Sequence, residues 1–216
     1  MMSDFSEGLV ERYVRAGAGF AARLREVRPG QWNAATPCPD WDVRQLVNHM
    51  TRGNLGYLGL LRGGAGADFL RLREADALGG DPVGAYQRSV GDCAEAFSAP
   101  GALDRVLDYP LGEVTGRQAL AVRTADSVVH TWDLARAVGA DDRLDGELVD
   151  WIRRFLDDIY AGLAETPVSA GPATTHRFFA APDGRGPGPG ASAQDLLLHR
   201  MGRRPWPATG RITPSR

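Results

Sequence analysis

The chain has 216 residues, a formal net charge of −2 and a sequence pI near 6.1, with 43% hydrophobic residues. That balance can bury a sizeable core and gives no reason to expect a nucleic-acid partner, which normally demands a concentrated basic face. All 25 cationic residues are arginine, so lysine Schiff-base chemistry and a phosphate-cradling P-loop lysine are ruled out, while arginine forks for carboxylates or phosphates stay available.

The first residues, Met1 to Gly8, are acidic and polar, and no apolar run approaches the roughly 18 residues a membrane span needs. Two cysteines, Cys38 and Cys93, are too few for a disulfide framework and suit a reducing compartment. The sequence therefore predicts a cytoplasmic protein without a membrane partner. Phe5, Leu9, Tyr13, Ala16, Phe20, Leu24 and Val27 recur at helical spacing before Pro29-Gly30, which predicts a first helix over 5–27. Thr36-Pro37-Cys38-Pro39-Asp40-Trp41 is held out of helix by its prolines. Asp42 and Gln45 then form a capping box, with Trp41 and Leu46 as its hydrophobic staple.

The helix that follows has an apolar stripe of Val43, Leu46, Val47, Met50, Tyr57, Leu58 and Leu61, and His49 falls beside that stripe. Gly53 and Gly56 lie on nearly the same line as His49, which fits either a pocket beside the imidazole or close helix packing. A flexible break at Gly63-Gly64-Ala65-Gly66 precedes a weak helical stretch to Leu78 and a turn at Gly79-Gly80-Asp81-Pro82. A third main helix is predicted over 83–97, then a loop or short hairpin over 99–114. Thr115 and Gln118 repeat the capping signature, opening a long helix that runs to Val138 and stops at Gly139. A further large helix is predicted over 145–165. Beyond Pro167 the texture changes to one short extended segment over 173–181, a Pro/Gly-rich loop over 182–190 and a short helix from Ser192 to about Gly202. The expected organisation is a helical bundle over 1–166 and a C-terminal extension over 167–216 packed on it.

Candidate chemistry concentrates on the long helix. Arg123, Asp126, His130 and Asp133 follow one another at three- and four-residue steps and share one narrow wedge of its surface. Asp126 and His130 have metal-ligand spacing, and the same spacing occurs on solvated helix faces. Val122, Val129 and Ala137 border the wedge and turn it toward an interior or cleft, where a carboxylate needs a partner. A metal ion is one such partner and an Arg123 salt bridge is the other. His49, on a separate helix, is a third candidate ligand, and two His with one Asp leave an exchangeable position. Cys38 has no adjacent base or cation in sequence and reads as a structural thiol. Trp41 and Trp132 read as staple and core residues, or as walls of a pocket. His176 and His199 read as surface residues able to supply an additional ligand.

Three stretches carry a family resemblance. Thr36-Pro37-Cys38-Pro39-Asp40-Trp41-Asp42-Val43-Arg44-Gln45-Leu46-Val47-Asn48-His49 resembles the signature of the mycothiol-dependent maleylpyruvate isomerase N-terminal family, a branch of the DinB-like superfamily. Asp126-Ser127-Val128-Val129-His130-Thr131-Trp132-Asp133-Leu134-Ala135-Arg136-Ala137 is similar to that family's metal-binding helix, and the ending from Leu196 to Trp206 is similar to the tail of short, single-domain actinobacterial metal-binding members. The resemblance implies an all-α, DinB-like four-helix bundle with a divalent metal, zinc first and nickel or another ion next, held by His49, Asp126 and His130. Asp126 stands where the isomerase has a glutamate, and the isomerase's separate C-terminal domain is not evident in these residues.

The function this implies is a metal-dependent enzyme that uses a low-molecular-weight thiol such as mycothiol for S-transfer or thiol-assisted isomerisation of a small electrophile. In that scheme Asp133 is a carboxylate behind the ligands or one that orients substrate, and Arg123 holds an acidic substrate or thiol group. A helix-packing salt bridge is the alternative for Asp133. Two other readings stay open: a non-catalytic DinB-like protein that binds metal or a small ligand, and a metal-dependent hydrolase without a thiol. A bundle with glycine-lined helices is also compatible with a homodimer.

Overall fold

The computed structural model describes residues 5–39, 41–163 and 186–203. They fold as a mostly helical protein: α1 (Leu9–Leu24), α2 (Val43–Leu61), α3 (Gly66–Arg71), α4 (Pro82–Ser98), α5 (Gly116–Val138), α6 (Gly146–Ile159) and α7 (Ala193–Arg200), with one hairpin of β1 (Val106–Tyr109) and β2 (Gly112–Thr115). The chain divides into two compact units, Met1–Ala164 and Glu165–Arg216. In the first unit α1, α2, α4 and α5 form a closed ring of neighbours, in which α1 packs on α5 and α4, and α2 packs on α4 and α5. This is the expected four-helix bundle. The second unit contributes α7, whose Ser192 hydroxyl accepts from Asp195 N as the capping pattern predicts.

Sequence punctuation sets most boundaries. Asp42 accepts from Gln45 N at 2.8 Å while the Gln45 side chain accepts from Asp42 N at 2.9 Å, closing the capping box that starts α2. Thr115 caps α5 through Gln118 N, and Gly139 ends it in the left-handed conformation at φ 73°. The 99–114 region resolves into the antiparallel hairpin, with Val106 paired to Thr115 and Tyr109 to Gly112.

Two helices are shorter than periodicity predicts. The first begins at Leu9 because Gly8 adopts a left-handed conformation at φ 60°, and after the cap residue Arg25, whose N–H still reaches Ala21 O, the chain closes only turn-type bonds, Glu26 N to Arg23 O and Val27 N to Leu24 O. The predicted 145–165 helix stops at Ile159. There the Gln118 side-chain amide of α5 donates to Ile159 O and Ala161 O at 3.3 and 2.6 Å, and Gly162 turns the chain at φ 71°. The predicted 173–181 segment lies outside the described residues. No helix among the described residues is long and apolar enough to cross a membrane.

The core beneath the site joins Phe20, Leu24, Val43, Leu46, Val47, Met50, Tyr86, Leu134 and Val138, drawn from all four bundle helices. Asn48 ties the chain after α3 to α2 by donating to Ala75 O at 3.0 Å and accepting from Ala77 N at 2.9 Å. Loss of the α2 cap in Asp42→Ala is expected to lower stability by about 1 kcal/mol, read as a shift of the urea midpoint without a change of slope. An unchanged midpoint would show that the cap does not set the start of α2.

Candidate metal centre

The polar wedge on α5 faces the bundle interior. Arg123 is 2% exposed, His130 3% and Asp133 0%, so each ionisable group must find its partner inside the protein. Along the helix they do so in sequence. Arg123 Nη1 donates to Asp126 Oδ2. Asp126 Oδ1 lies 3.2 Å from His130 Nε2, and His130 Nδ1 lies 2.8 Å from Asp133 Oδ2. One helix face thus carries an alternating chain of cation, anion, imidazole and anion.

Helix α2 meets this chain from the opposite side. His49 Nε2 points at Asp126 Oδ2 from 3.6 Å, and this buried ring nitrogen has no hydrogen-bond partner. The two imidazoles stand edge to face with centroids 5.2 Å apart. Donor atoms of His49, Asp126 and His130 all lie within 4.8 Å of one another. These residues fit a divalent metal: two nitrogens and one carboxylate from two packed helices, with an orphaned nitrogen aimed at the group. His130 Nδ1 on a carboxylate also matches the outer hydrogen bond that metal-ligating histidines usually make. The other partner foreseen for Asp126, the Arg123 salt bridge, is present as well, and two carboxylate oxygens leave room for both.

Electrostatics follow from burial and pairing. Burial pushes the His49 imidazole down to about 4, against a smaller upward pull from Asp126, so this donor is neutral across the physiological range. Burial also opposes charge on His130, but the two flanking carboxylates outweigh it and hold the imidazole well above its ordinary value. Asp126, despite the same desolvation, is held well below the usual carboxylate range by His130, His49 and Arg123.

Arg123 is placed differently from the expectation that it would hold a substrate. Its guanidinium is buried and engaged: Nε donates to Asn54 Oδ1 at 2.7 Å, Nη2 donates to the Met50 carbonyl and lies 3.6 Å from Met50 Sδ, and Nη1 binds Asp126. Gly53 makes this possible. A Cβ there would sit 2.7 Å from Arg123 Nη1 and 2.9 Å from Cζ. Gly56 likewise receives the Phe69 ring, which a Cβ would meet at 2.5 Å. Close packing therefore accounts for both glycines.

Two residues read as structural in the sequence stand at the site. The Cys38 thiol donates to Asp133 Oδ2 at 3.4 Å and its Sγ is 3.9 Å from His130 Nδ1. Trp41 stacks on His49, with centroids 4.4 Å apart and planes 29° off parallel, and its ring lies 5.8 Å from that of His130. The segment before α2 folds back through Thr36, whose hydroxyl donates to Trp41 O at 2.8 Å and accepts from Cys38 N at 3.1 Å. The available signal was position, since both residues immediately precede the capping box of the helix that carries His49. Trp132 is a core residue, 3% exposed with Arg136 over its ring. His199 lies in the last turn of α7, and His176 is outside the described residues.

Comparison with known proteins gives a consistent result. Residues 13–135 match the family model of the mycothiol maleylpyruvate isomerase N-terminal domain. Uncharacterized proteins from two strains of Mycobacterium tuberculosis are each 37% identical over 134 residues, covering 62% of this chain and 69% of theirs. Among solved structures, the mycothiol-dependent maleylpyruvate isomerase superposes with a TM-score of 0.54 over 70% of both chains at 14% identity, a likeness of fold.

The packing of Gly53 on Arg123 predicts that Gly53→Ala destabilises the protein by about 1–3 kcal/mol, because the buried guanidinium has no room to yield. Gly59, in the same helix with open space around it, is the control, and Gly59→Ala should be neutral or stabilising by about 0.5–1 kcal/mol. Urea denaturation of both variants checks the pair; equal effects would contradict the packing argument.

Proposed function

The chain belongs to the mycothiol maleylpyruvate isomerase N-terminal domain family, and from that premise we propose that it is a metal-dependent enzyme using a low-molecular-weight thiol, of the mycothiol kind, on a small electrophile. The reaction class is S-transfer or thiol-assisted isomerisation. The observation that carries the reading is the orientation of His130, whose Nε2 faces Asp126 and the unpartnered His49 Nε2 while its Nδ1 is fixed by Asp133.

His49, Asp126 and His130 would hold the ion, with zinc the first candidate and nickel another that suits imidazole and carboxylate. Bound there, a divalent metal supplies a Lewis-acid position at which a thiol, with an ordinary pKa of about 8.5, is held as its thiolate. The remaining side chains prepare that position. Asp133 accepts from His130 Nδ1 and so directs Nε2 toward the ligand cluster. Cys38 donates to the same Asp133 oxygen and limits its rotation. Trp41 covers one face of His49 and shields it from water. Burial keeps His49 neutral, the form that donates a lone pair.

A second reading, a member that binds without catalysing, draws on the Arg123–Asp126 pair, since Asp126 already has a charge partner without any metal. Two measurements separate the readings. Purified protein is expected to carry divalent metal near one equivalent, and His49→Ala and His130→Ala to lose it; metal content equal in all three proteins would sink every metal-site version. Metal-loaded protein should accelerate the reaction of a low-molecular-weight thiol with monobromobimane. A metal-binding protein without that acceleration would be the non-catalytic member.

The role given to Asp133 has its own test. Asp133→Asn should lower metal affinity by about 10–100-fold, measured by competition with a chromophoric chelator. Wild-type affinity in a folded Asp133→Asn protein would return this residue to a purely structural part.

A further inference from the structure

We propose that Arg123 is a positioning residue for the metal centre: it holds one oxygen of Asp126 so that the carboxylate offers the ion its other oxygen alone. The inference deepens the reading above and rests on it, because it describes how Asp126 acts as a ligand.

Several observations converge on Arg123. It is the largest fully buried side chain of the described residues, and an arginine is an expensive way to fill a bundle core. Its fork is completely specified. Nε is taken by Asn54, itself fixed by donating to Ser89 Oγ at 2.9 Å, and Nη2 is taken by the Met50 carbonyl. Nη1 is left to bind Asp126 Oδ2. The absent side chain of Gly53 lets the group lie against α2. Anchored on α2 at two points and on α5 through its own backbone, the guanidinium is a rigid template rather than a mobile surface charge.

The template has a definite effect on Asp126. Oδ2 is engaged by Arg123 and faced by His49 Nε2 from 3.6 Å, beyond hydrogen-bond reach, so the carboxylate cannot rotate freely, and Oδ1 faces His130 Nε2 at 3.2 Å. A carboxylate free on both sides can bind a metal through one oxygen or two, and the two modes give different coordination numbers. Arg123 selects the single-oxygen mode. With two imidazoles this keeps the protein to three donor atoms and preserves an exchangeable position for a thiol.

The test uses Co(II) as a spectroscopic probe, because its visible bands are intense in four-coordinate sites and weak at higher coordination. Wild-type protein reconstituted with Co(II) is expected to show the intense four-coordinate spectrum. In Arg123→Met, whose thermal unfolding is recorded alongside, those bands should be lost as Asp126 engages through both oxygens; a folded Arg123→Met protein with the wild-type spectrum overturns the proposal. Arg123→Lys keeps the charge but has no fork to reach Asn54, Met50 and Asp126 together. It should resemble Arg123→Met, and restoration of the wild-type spectrum by lysine would show that charge alone matters and overturn the positioning role. Should Arg123→Met not fold, Asn54→Ala decides, since it frees Nε and loosens the fork: a weakened spectrum supports the proposal and an unchanged one overturns it. Failure of the underlying reading looks different, because Co(II) would then bind equally to wild type and His49→Ala.

Discussion

The structure depends on one constraint: four ionisable side chains of α5 lie inside a helical bundle, and none can be buried without a partner. Removing a charge from water costs several kcal/mol even after relaxation, so the surroundings of Arg123, Asp126, His130 and Asp133 are dictated by their pairing. Each meets the next along the helix, and the two ends of the chain are tied off by other elements, Arg123 by Asn54 and Met50 and Asp133 by the Cys38 thiol. A well-packed apolar face would have been a cheaper interior. Burial and pairing shift His130 upward and Asp126 downward from their ordinary proton affinities, the kind of perturbation found at functional sites and also in structural ion-pair networks.

That constraint reaches into the neighbouring helix. For Arg123 to lie inside, α2 must give up a side chain at Gly53 and turn a carbonyl and an amide toward the guanidinium. These demands fall within a few residues of His49, so the groups that accept hydrogen bonds from Arg123 and the imidazole that faces Asp126 ride on adjacent turns. The capping box at Asp42 starts α2, and the Thr36 bonds set Cys38 and Trp41 beside its first turns. Local sequence and buried charge thus enforce the same register.

Much of this was legible in the sequence because it rests on periodicity and punctuation. The apolar stripe and the Asp42 cap located α2, and the Thr115 cap and Gly139 stop located α5. Border residues Val122 and Val129 turn the polar wedge inward. What was not legible depends on contacts between distant segments. The end of α6 is set by Gln118, forty-odd residues earlier in the chain. Cys38 lacked a sequence neighbour to make it part of a site, and its neighbours are supplied by α5. Arg123 looked like a hand for substrate because a sequence shows a charge without showing that each of its three nitrogens is already engaged.

Aspartate at 126 and glycine at 53 belong together. An aspartate carries its carboxylate close to its own helix, so any group that shares it must approach α5 closely. His49 does so from α2 at 3.6 Å, and the Arg123 fork fills the space between the helices one turn along. A Cβ at 53 would meet the Arg123 guanidinium at 2.7 Å, so the fork would have to shift from its partners on α2. A longer carboxylate would not need so close an approach, and it would lose the fixed orientation that the short one has in Arg123's grip. The short carboxylate, the missing side chain and the buried guanidinium are therefore three parts of one arrangement, in which the guanidinium fills the space beside Gly53 and holds the Asp126 carboxylate.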